Sequence, residues 1–326
     1  MQWLLLSEKL WGHAMLKTFL CAMVCGSCVV GCGDSADSVA NTTISSPGST
    51  AAPSTTAPST TASPARLVDE ADLTTQTDTA YSLDWSVDGE SLAVASGVEV
   101  TVLPSDLGEP ISIFKPASGA LAAAWSPEQK HIATVGGLRN RTIAIWDWES
   151  GAAALNQAQN VTADSDQFAV SWSPDGTRLA TLTDDRTSTI QIWETNTWTL
   201  VHEFSLPYAN PRRALNWSAD GTKINDAGES KGQVVYFSMN VENGAVQELG
   251  ALPLTSASVV AFSPDSQSIA VADEAGSVQI LAVASGATLA AFQSVKSPVD
   301  LAWNPKNSTL AVLGYDTSLQ LWALAV

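Results

Sequence analysis

The side chains best able to do chemistry in this sequence are acidic pairs in short polar stretches. The pairs are Asp164 with Asp166, Asp184 with Asp185, and Asp273 with Glu274. Carboxylates attract basic partners, but several must converge before they can hold a divalent cation. Polar residues between strands are also ordinary solvated turn residues. We take the six as candidates for partner binding, and the sequence predicts neither a metal site nor a cofactor.

A loop at residues 206–213 is the best single contact candidate, because it carries Tyr208, Arg212 and Arg213. Tyrosine and arginine are enriched among the residues that contribute most of the binding energy in protein interfaces. Two prolines in the same loop would stiffen it. The open alternative is that the loop is only a rigid connection, with Tyr208 packed on the rim of the protein.

Motifs for catalysis are missing from the sequence. The three histidines, His13, His131 and His202, have no nucleophile motif near them. The sequence contains no Gly-x-Ser-x-Gly, no His-Glu-x-x-His and no phosphate-binding glycine loop. We therefore predict no catalytic residue and a protein that is not an enzyme.

The elements that must position these residues are repeats. A unit such as Ser171-Trp172-Ser173-Pro174-Asp175-Gly176 recurs, and successive aromatic residues are 40 to 47 positions apart. The aromatic positions are Trp85, Trp125, Trp172, Trp217, Phe262 and Trp303. This period is typical of four-stranded propeller blades, and strands of period two flank each polar turn. The repeated tryptophan is expected to pack between blades, since it buries a large area and has one N–H to satisfy.

The repeat resembles the WD-repeat family of β-propellers. The best match to the third strand of the family is the run from Asn140 to Asp147, with weaker copies around Trp193 and Trp322. The fourth and fifth repeats carry Phe237 and Leu281 in place of this tryptophan. The resemblance covers about residues 67–326. It implies an all-β propeller, and the six repeats predict six four-stranded blades, with seven blades as the alternative.

The last repeat lacks a fourth strand of its own. Residues 67–74 could form an isolated strand, and we predict that they complete the sixth blade and close the ring. Closure removes a seam between blades that would otherwise invite misassociation.

The N-terminal region resembles the signal of a bacterial lipoprotein. The apolar run at residues 18–31 is shorter than the ~20 residues of a membrane span and fits a secretory signal. It ends in Val29-Val30-Gly31-Cys32, which resembles the bacterial lipobox and implies lipidation of Cys32. All four cysteines lie in this region, at positions 21, 25, 28 and 32, so none can form a disulfide in the repeats. The open alternative is an ordinary signal peptide.

Three regions follow from these observations. Residues 1–31 are the signal peptide, residues 32–66 are a flexible linker rich in Ser, Thr, Ala and Pro, and residues 67–326 are the propeller. The linker composition cannot bury enough apolar surface to fold. It is therefore expected to act as a stalk for the propeller.

The chain is strongly acidic, with 33 Asp and Glu against 15 Lys and Arg. This balance argues against binding to nucleic acid and favours a basic partner. The acidic pairs fall in connections that share one face of a propeller. That face is expected to be acidic, with Arg212 and Arg213 as the exception.

The sequence thus predicts a monomeric lipoprotein of the bacterial cell envelope, anchored to a membrane outside the cytoplasm. Its propeller would be a non-catalytic module that binds an envelope protein or serves as a scaffold. The alternatives are a metal-dependent propeller hydrolase or lactonase, and a protein that binds a small ligand in the central channel.

Overall fold

The computed structural model describes residues 65–73, 79–116, 119–136, 142–153, 159–160, 166–183, 188–211, 214–253 and 257–324. All of them belong to one compact unit, residues 62–326. Their regular structure consists of β-strands, arranged in six antiparallel sheets. Each sheet is one blade of a ring, so the six-bladed, all-β prediction is confirmed.

The strands of the first three blades follow the repeats in order. Blade 1 contains β2 (Ala80–Trp85), β3 (Ser91–Ser96), β4 (Val100–Pro104) and β5 (Ser112–Phe114). Blade 2 contains β6 (Ala122–Trp125), β7 (His131–Val135) and β8 (Thr142–Asp147), and β8 pairs with both β9 (Ala152–Ala153) and β10 (Gln159–Asn160). Blade 3 contains β11 (Gln167–Trp172), β12 (Arg178–Thr183), β13 (Thr189–Glu194) and β14 (Thr199–Ser205).

The last three blades repeat the pattern. Blade 4 contains β15 (Asn216–Trp217), β16 (Lys223–Ser230), β17 (Gln233–Asn240) and β18 (Val246–Ala251). Blade 5 contains β19 (Ala257–Phe262), β20 (Ser268–Asp273), β21 (Ser277–Ala282) and β22 (Thr288–Gln293). Blade 6 contains β23 (Pro298–Trp303), β24 (Thr309–Gly314), β25 (Ser318–Ala323) and, as its fourth strand, β1 (Arg66–Asp72).

The ring closes through β1, which pairs antiparallel with β25 from Asp72↔Ser318 to Arg66↔Ala323, with a bulge at Val68. The Leu73 amide extends the ladder by donating to the carbonyl of Thr317 at 3.1 Å. The predicted closing strand is therefore present, within two residues of its expected limits.

The hydrophobic core lies in the seams, the interfaces between neighbouring blades. Its buried residues form six clusters, one for each seam of the ring. Alternate residues of a strand face opposite neighbours. In β3, for example, Val94 packs toward blade 6 while Ala93 and Ala95 pack toward blade 2. No blade buries both of its faces alone, so each depends on the next.

The meander gives the propeller two rims. The turns between the first and second strands and between the third and fourth strands lie at one end of every blade, and we call this end the turn rim. The connections between the second and third strands and between successive blades lie at the opposite end, which we call the loop rim. The first strands of neighbouring blades contact one another, except that β19 of blade 5 contacts β16 of blade 4, and these first strands line the axis.

The register corrects one assignment made from the sequence. Leu179 pairs with Trp193 in blade 3, and the equivalent Ile224 pairs with Met239 in blade 4. Met239, and not Phe237, therefore occupies the position of the third-strand tryptophan. The hairpin of β16 and β17 has eight residues in each strand, so the equivalent position lies two residues later in the sequence than Phe237.

Candidate functional site

Four of the repeated tryptophans join neighbouring blades by a hydrogen bond. In each, the indole Nε1 donates to the carbonyl of the residue that precedes the repeated aromatic in the previous blade. The bonds are Trp85 to Ala302 at 3.2 Å, Trp172 to Ala124 at 3.2 Å, Trp217 to Ser171 at 3.1 Å and Trp303 to Ala261 at 3.1 Å. The predicted role of these residues between blades is confirmed, and the repeat also satisfies their N–H groups.

Two aspartates strengthen the seams on either side of blade 1. The Nε1 of Trp125 is buried and has no hydrogen-bond partner in the described structure. Its backbone N–H instead donates to Oδ2 of Asp84 at 2.7 Å. In the preceding seam, the Leu83 N–H donates to Oδ2 of Asp300 at 2.7 Å. These carboxylates stand on β2 and β23, two of the strands that line the axis.

Asp84 can exchange a proton near neutral pH. The pKa of Asp84 is raised to about 7, mainly by burial and to a smaller extent by the charge of Asp300, while the amides of Trp125 and Trp85 act in the opposite direction. An unfolded aspartate has a pKa of ~3.9, so the folded protein holds this proton more tightly. The stabilisation is complete below about pH 4 and is lost as the pH rises through about 7.

The polar turns at the turn rim are braced by aspartates. Ser173 Oγ donates to Asp175 Oδ1 at 2.7 Å, and Ser218 Oγ donates to Asp220 Oδ1 at 2.6 Å. The amide two residues after each aspartate donates to the same oxygen. These bonds lower the pKa of both carboxyls, that of Asp220 to about 2. The turn aspartates therefore stay ionised at neutral pH.

Negative charge is concentrated on the turn rim. Its turns contain ten acidic and two basic residues. The acidic residues are Asp88, Glu90, Asp106, Glu109, Glu128, Glu149, Asp175, Asp220, Glu242 and Asp265, and the basic residues are Lys130 and Lys306. Each blade except blade 6 contributes at least one carboxylate, so the rim is an acidic ring.

The loop rim carries a smaller net negative charge in its described part than the turn rim does. Together with Asp273 at the end of β20, its described connections hold Glu99, Asp166, Glu274 and Asp316 against Lys115, Lys231 and Lys296. One of these acids, Glu99, is buried, and it pairs with Lys115 at 3.2 Å. The acidic pairs are conspicuous in the sequence, whereas the three lysines are scattered over separate repeats and do not stand out.

The described contact candidates lie at three separate connections of the loop rim. Asp166 precedes β11, Tyr208 follows β14, and Asp273 with Glu274 ends β20. Glu274 is exposed, whereas Asp273 accepts the Ser277 amide at 2.9 Å and so braces its own turn. Cys32, Asp164, Asp184, Asp185, Arg212 and Arg213 lie outside the described residues.

Tyr208 packs against the propeller. Its ring stacks on Phe237 with the ring centroids 4.6 Å apart. Burial, together with the neighbouring Glu248 carboxylate, raises the pKa of the Tyr208 hydroxyl. The side chain is only partly exposed. Most of its surface is therefore packed on the rim, which is the alternative that the sequence analysis left open.

A cleft of about 270 Å³ lies at the turn rim between blades 3 and 4. Asp175, Asp220 and Trp217 are among its lining residues. Beside it, Arg178 Nη1 lies 2.7 Å from Glu242 Oε1, and His202 Nε2 lies 3.8 Å from Glu242 Oε2. Glu242 is 63 % exposed, so solvent screens the ion pair and it contributes little to stability. Sequence reasoning missed this group because its members come from three separate segments of two blades.

Two further properties bear on function. Within the described ranges, no three His, Cys, Asp or Glu side chains lie close enough together to hold a metal ion. A search of the same residues finds no helix with the length and apolar character of a membrane span.

Comparison with known proteins gives the fold. No family model matches the chain, and no curated protein matches it. Among solved structures, it is similar to the β-propeller domain of Cps50 (Swd1) from Myceliophteria thermophila, with a TM-score of 0.62 and 11 % sequence identity. The alignment covers 80 % of this chain and 100 % of that domain. At this identity the similarity concerns the propeller architecture alone.

Proposed function

We propose that this chain is a lipid-anchored extracytoplasmic protein whose propeller binds a basic envelope protein without catalysing a reaction. The acidic ring of the turn rim carries the binding part of this proposal. Rigid hairpin turns hold its carboxylates, and the hydrogen bonds that brace several of them keep those groups ionised. A propeller of this kind offers a broad preformed contact surface, and propellers commonly serve as scaffolds for protein interaction.

Charge complementarity selects the class of partner. A surface whose turns hold ten acidic and two basic residues, with Arg178 and Lys223 at adjoining strand ends, keeps a net negative charge. It therefore attracts a positively charged protein and accelerates its association. The same surface repels the phosphates of nucleic acid and anionic lipid headgroups. The partner is therefore a protein with exposed lysine and arginine. The loop-rim residues Tyr208, Arg212 and Arg213 remain a second contact candidate.

A cross-linked pulldown from envelope extract tests the binding proposal. We expect the full chain to capture a stoichiometric protein. A turn-rim variant with Glu109→Lys, Glu128→Lys and Glu149→Lys should lose at least tenfold of this capture, since all three side chains are exposed and the changes reverse the local charge. High salt should weaken the capture for the same reason.

The control is a loop-rim variant with Asp166→Lys, Tyr208→Ala and Glu274→Lys, which should capture the partner normally. Loss of capture with this variant alone would move the interface to the loop rim. Equal background from all baits, or turnover of a substrate by the purified protein, would refute the binding function.

Membrane anchoring is tested separately through Cys32. The resemblance of residues 29–32 to a lipobox predicts that the native chain sediments with membranes and incorporates labelled palmitate. Cys32→Ser should abolish the label and release the protein into the soluble fraction, because no other anchor is proposed. A Cys32→Ser chain that still sediments with membranes and carries the label would contradict lipidation at this residue.

A further inference from the structure

Asp226 is a carboxyl group buried in the seam between blades 3 and 4. It lies in the middle of β16 and its exposed fraction is 0 %. Its register partner is Phe237, and Ile224 on the same face of β16 packs in the same seam cluster as Phe237. At the equivalent register the other blades carry Val94, Thr134, Thr181, Val271 and Val312. Blade 4 therefore places an ionisable group where the others place a methyl or hydroxyl group.

The two oxygens of Asp226 have different surroundings. Oδ1 accepts the backbone N–H of Ala214 at 3.0 Å and that of Ala227 at 2.7 Å. Oδ2 has no hydrogen-bond partner in the described structure and is closed off from solvent. Ala214 belongs to the segment that enters blade 4, so Oδ1 fastens this entry segment to the second strand of the blade.

The segment between blades 3 and 4 is packed over the same strand. Tyr208 stacks on Phe237, the register partner of Asp226. A Cβ atom added to Gly228 would lie 2.8 Å from the Cβ of Tyr208, so only glycine permits this close approach. Asp226 and Tyr208 thus hold two parts of one inter-blade connection against β16.

The elements that face Asp226 bring no cation to it in the described structure. Leu182 and Ile190 of blade 3 and Leu215 of the entry segment are apolar members of the seam cluster. Tyr208 is the titratable side chain packed against this cluster, and it interacts with Glu248 of β18. Glu229, further along β16, accepts a hydrogen bond from Asn210 at 2.9 Å.

Burial without a counter-charge favours the neutral acid. It raises the pKa of Asp226 to about 7, although the Ala227 and Ala214 amides act in the opposite direction. An ionised carboxylate in such a seam is strongly unfavourable unless water or a cation reaches it. Opening the seam hydrates the carboxylate and returns its pKa toward ~3.9, so opening releases a proton between about pH 4 and pH 7.

We propose that Asp226 is a proton-dependent latch that closes the connection between blades 3 and 4 when it is protonated and lets this connection open when the proton is lost. The latch regulates local opening and does not depend on the proposed partner. It acts on the connection that carries Tyr208, so any contact made by Tyr208 would become sensitive to pH.

Hydrogen exchange of the full chain between pH 4 and pH 7 tests the latch. After correction for the intrinsic exchange rate, protection of the Ala214 and Ala227 amides should fall about tenfold per pH unit, since each opening event releases one proton. The protection should become independent of pH above about 7. Amides of β20 in blade 5 serve as the reference and should not follow this slope.

Two variants separate the proton from the packing. Asp226→Asn keeps an acceptor for both amides but cannot ionise, so it should abolish the slope and retain strong protection. Asp226→Val, which introduces the residue found at this register in blades 1, 5 and 6, should also abolish the slope while lowering protection at every pH. A flat profile in the native chain, or an unchanged slope in Asp226→Asn, would overturn the proposal.

Discussion

Deletion of residues 1–73 is expected to destabilise the propeller by about 5 kcal/mol or more and to make it associate. The deletion removes β1, whose ladder with β25 completes blade 6, and also removes the buried Leu73. Each lost backbone hydrogen bond contributes about 0.5–1.5 kcal/mol, and the lost apolar contacts of Leu73 and Ala71 add to this. The exposed edge of β25 would then be free to pair with another chain.

The matched control is a deletion of residues 1–64, which leaves β1 intact and should change neither stability nor oligomeric state. Denaturant unfolding gives the difference in free energy, and size-exclusion chromatography gives the association. Equal stability of the two truncated proteins would show that the ring does not depend on its N-terminal strand.

Replacement of Trp217 by alanine is expected to cost about 3–5 kcal/mol, because it empties part of the seam between blades 3 and 4. Trp217→Phe should cost less, about 1–3 kcal/mol. It keeps an aromatic ring but removes the Nε1 hydrogen bond to the carbonyl of Ser171.

Trp125→Phe provides the comparison for the hydrogen bond. The Nε1 of Trp125 has no partner in the described structure, so its removal also removes a buried unsatisfied donor. Trp125→Phe should therefore cost less than Trp217→Phe in the same thermal or denaturant unfolding measurement. An equal or larger loss of unfolding free energy at position 125 would indicate that these tryptophans stabilise the propeller only through the packing of their indole groups.

The sequence was informative where the physics is local. The run Ser173-Pro174-Asp175-Gly176 predicts a polar turn between two strands, and this turn forms, with hydrogen bonds to Asp175 bracing it. The repeat period predicts the number of blades, and the missing fourth strand of the last repeat predicts the role of β1.

Contacts between distant residues could not be derived in this way. The carboxylate of Asp300 meets the Leu83 amide across 217 positions, and nothing in either repeat indicates the pair. Asp226 looks like an ordinary polar residue in the sequence, and only the register shows that it replaces a seam residue. Blade 4 shows the same limit, since the longer hairpin makes Phe237 rather than Met239 resemble the repeat tryptophan.

Electrostatics was the least predictable property, because it depends on which end of each blade a residue reaches. The acidic pairs attract attention in the sequence, but their described members, Asp166, Asp273 and Glu274, lie on the rim with the smaller described net charge. Single acids such as Glu109 and Glu149 look unimportant until the six repeats place them on one rim. The rim proposed here for partner binding is therefore the turn rim, at the opposite end of the propeller from the rim favoured by the sequence.

Mapping cross-links on the captured complex tests the central claim most directly. The propeller carries six exposed lysines, with Lys130, Lys223 and Lys306 at the turn rim and Lys115, Lys231 and Lys296 at the loop rim. With a short amine-reactive reagent and mass spectrometry, we expect links to the partner from Lys130, Lys223 and Lys306. Links confined to Lys115, Lys231 and Lys296 would contradict the acidic turn rim as the binding surface.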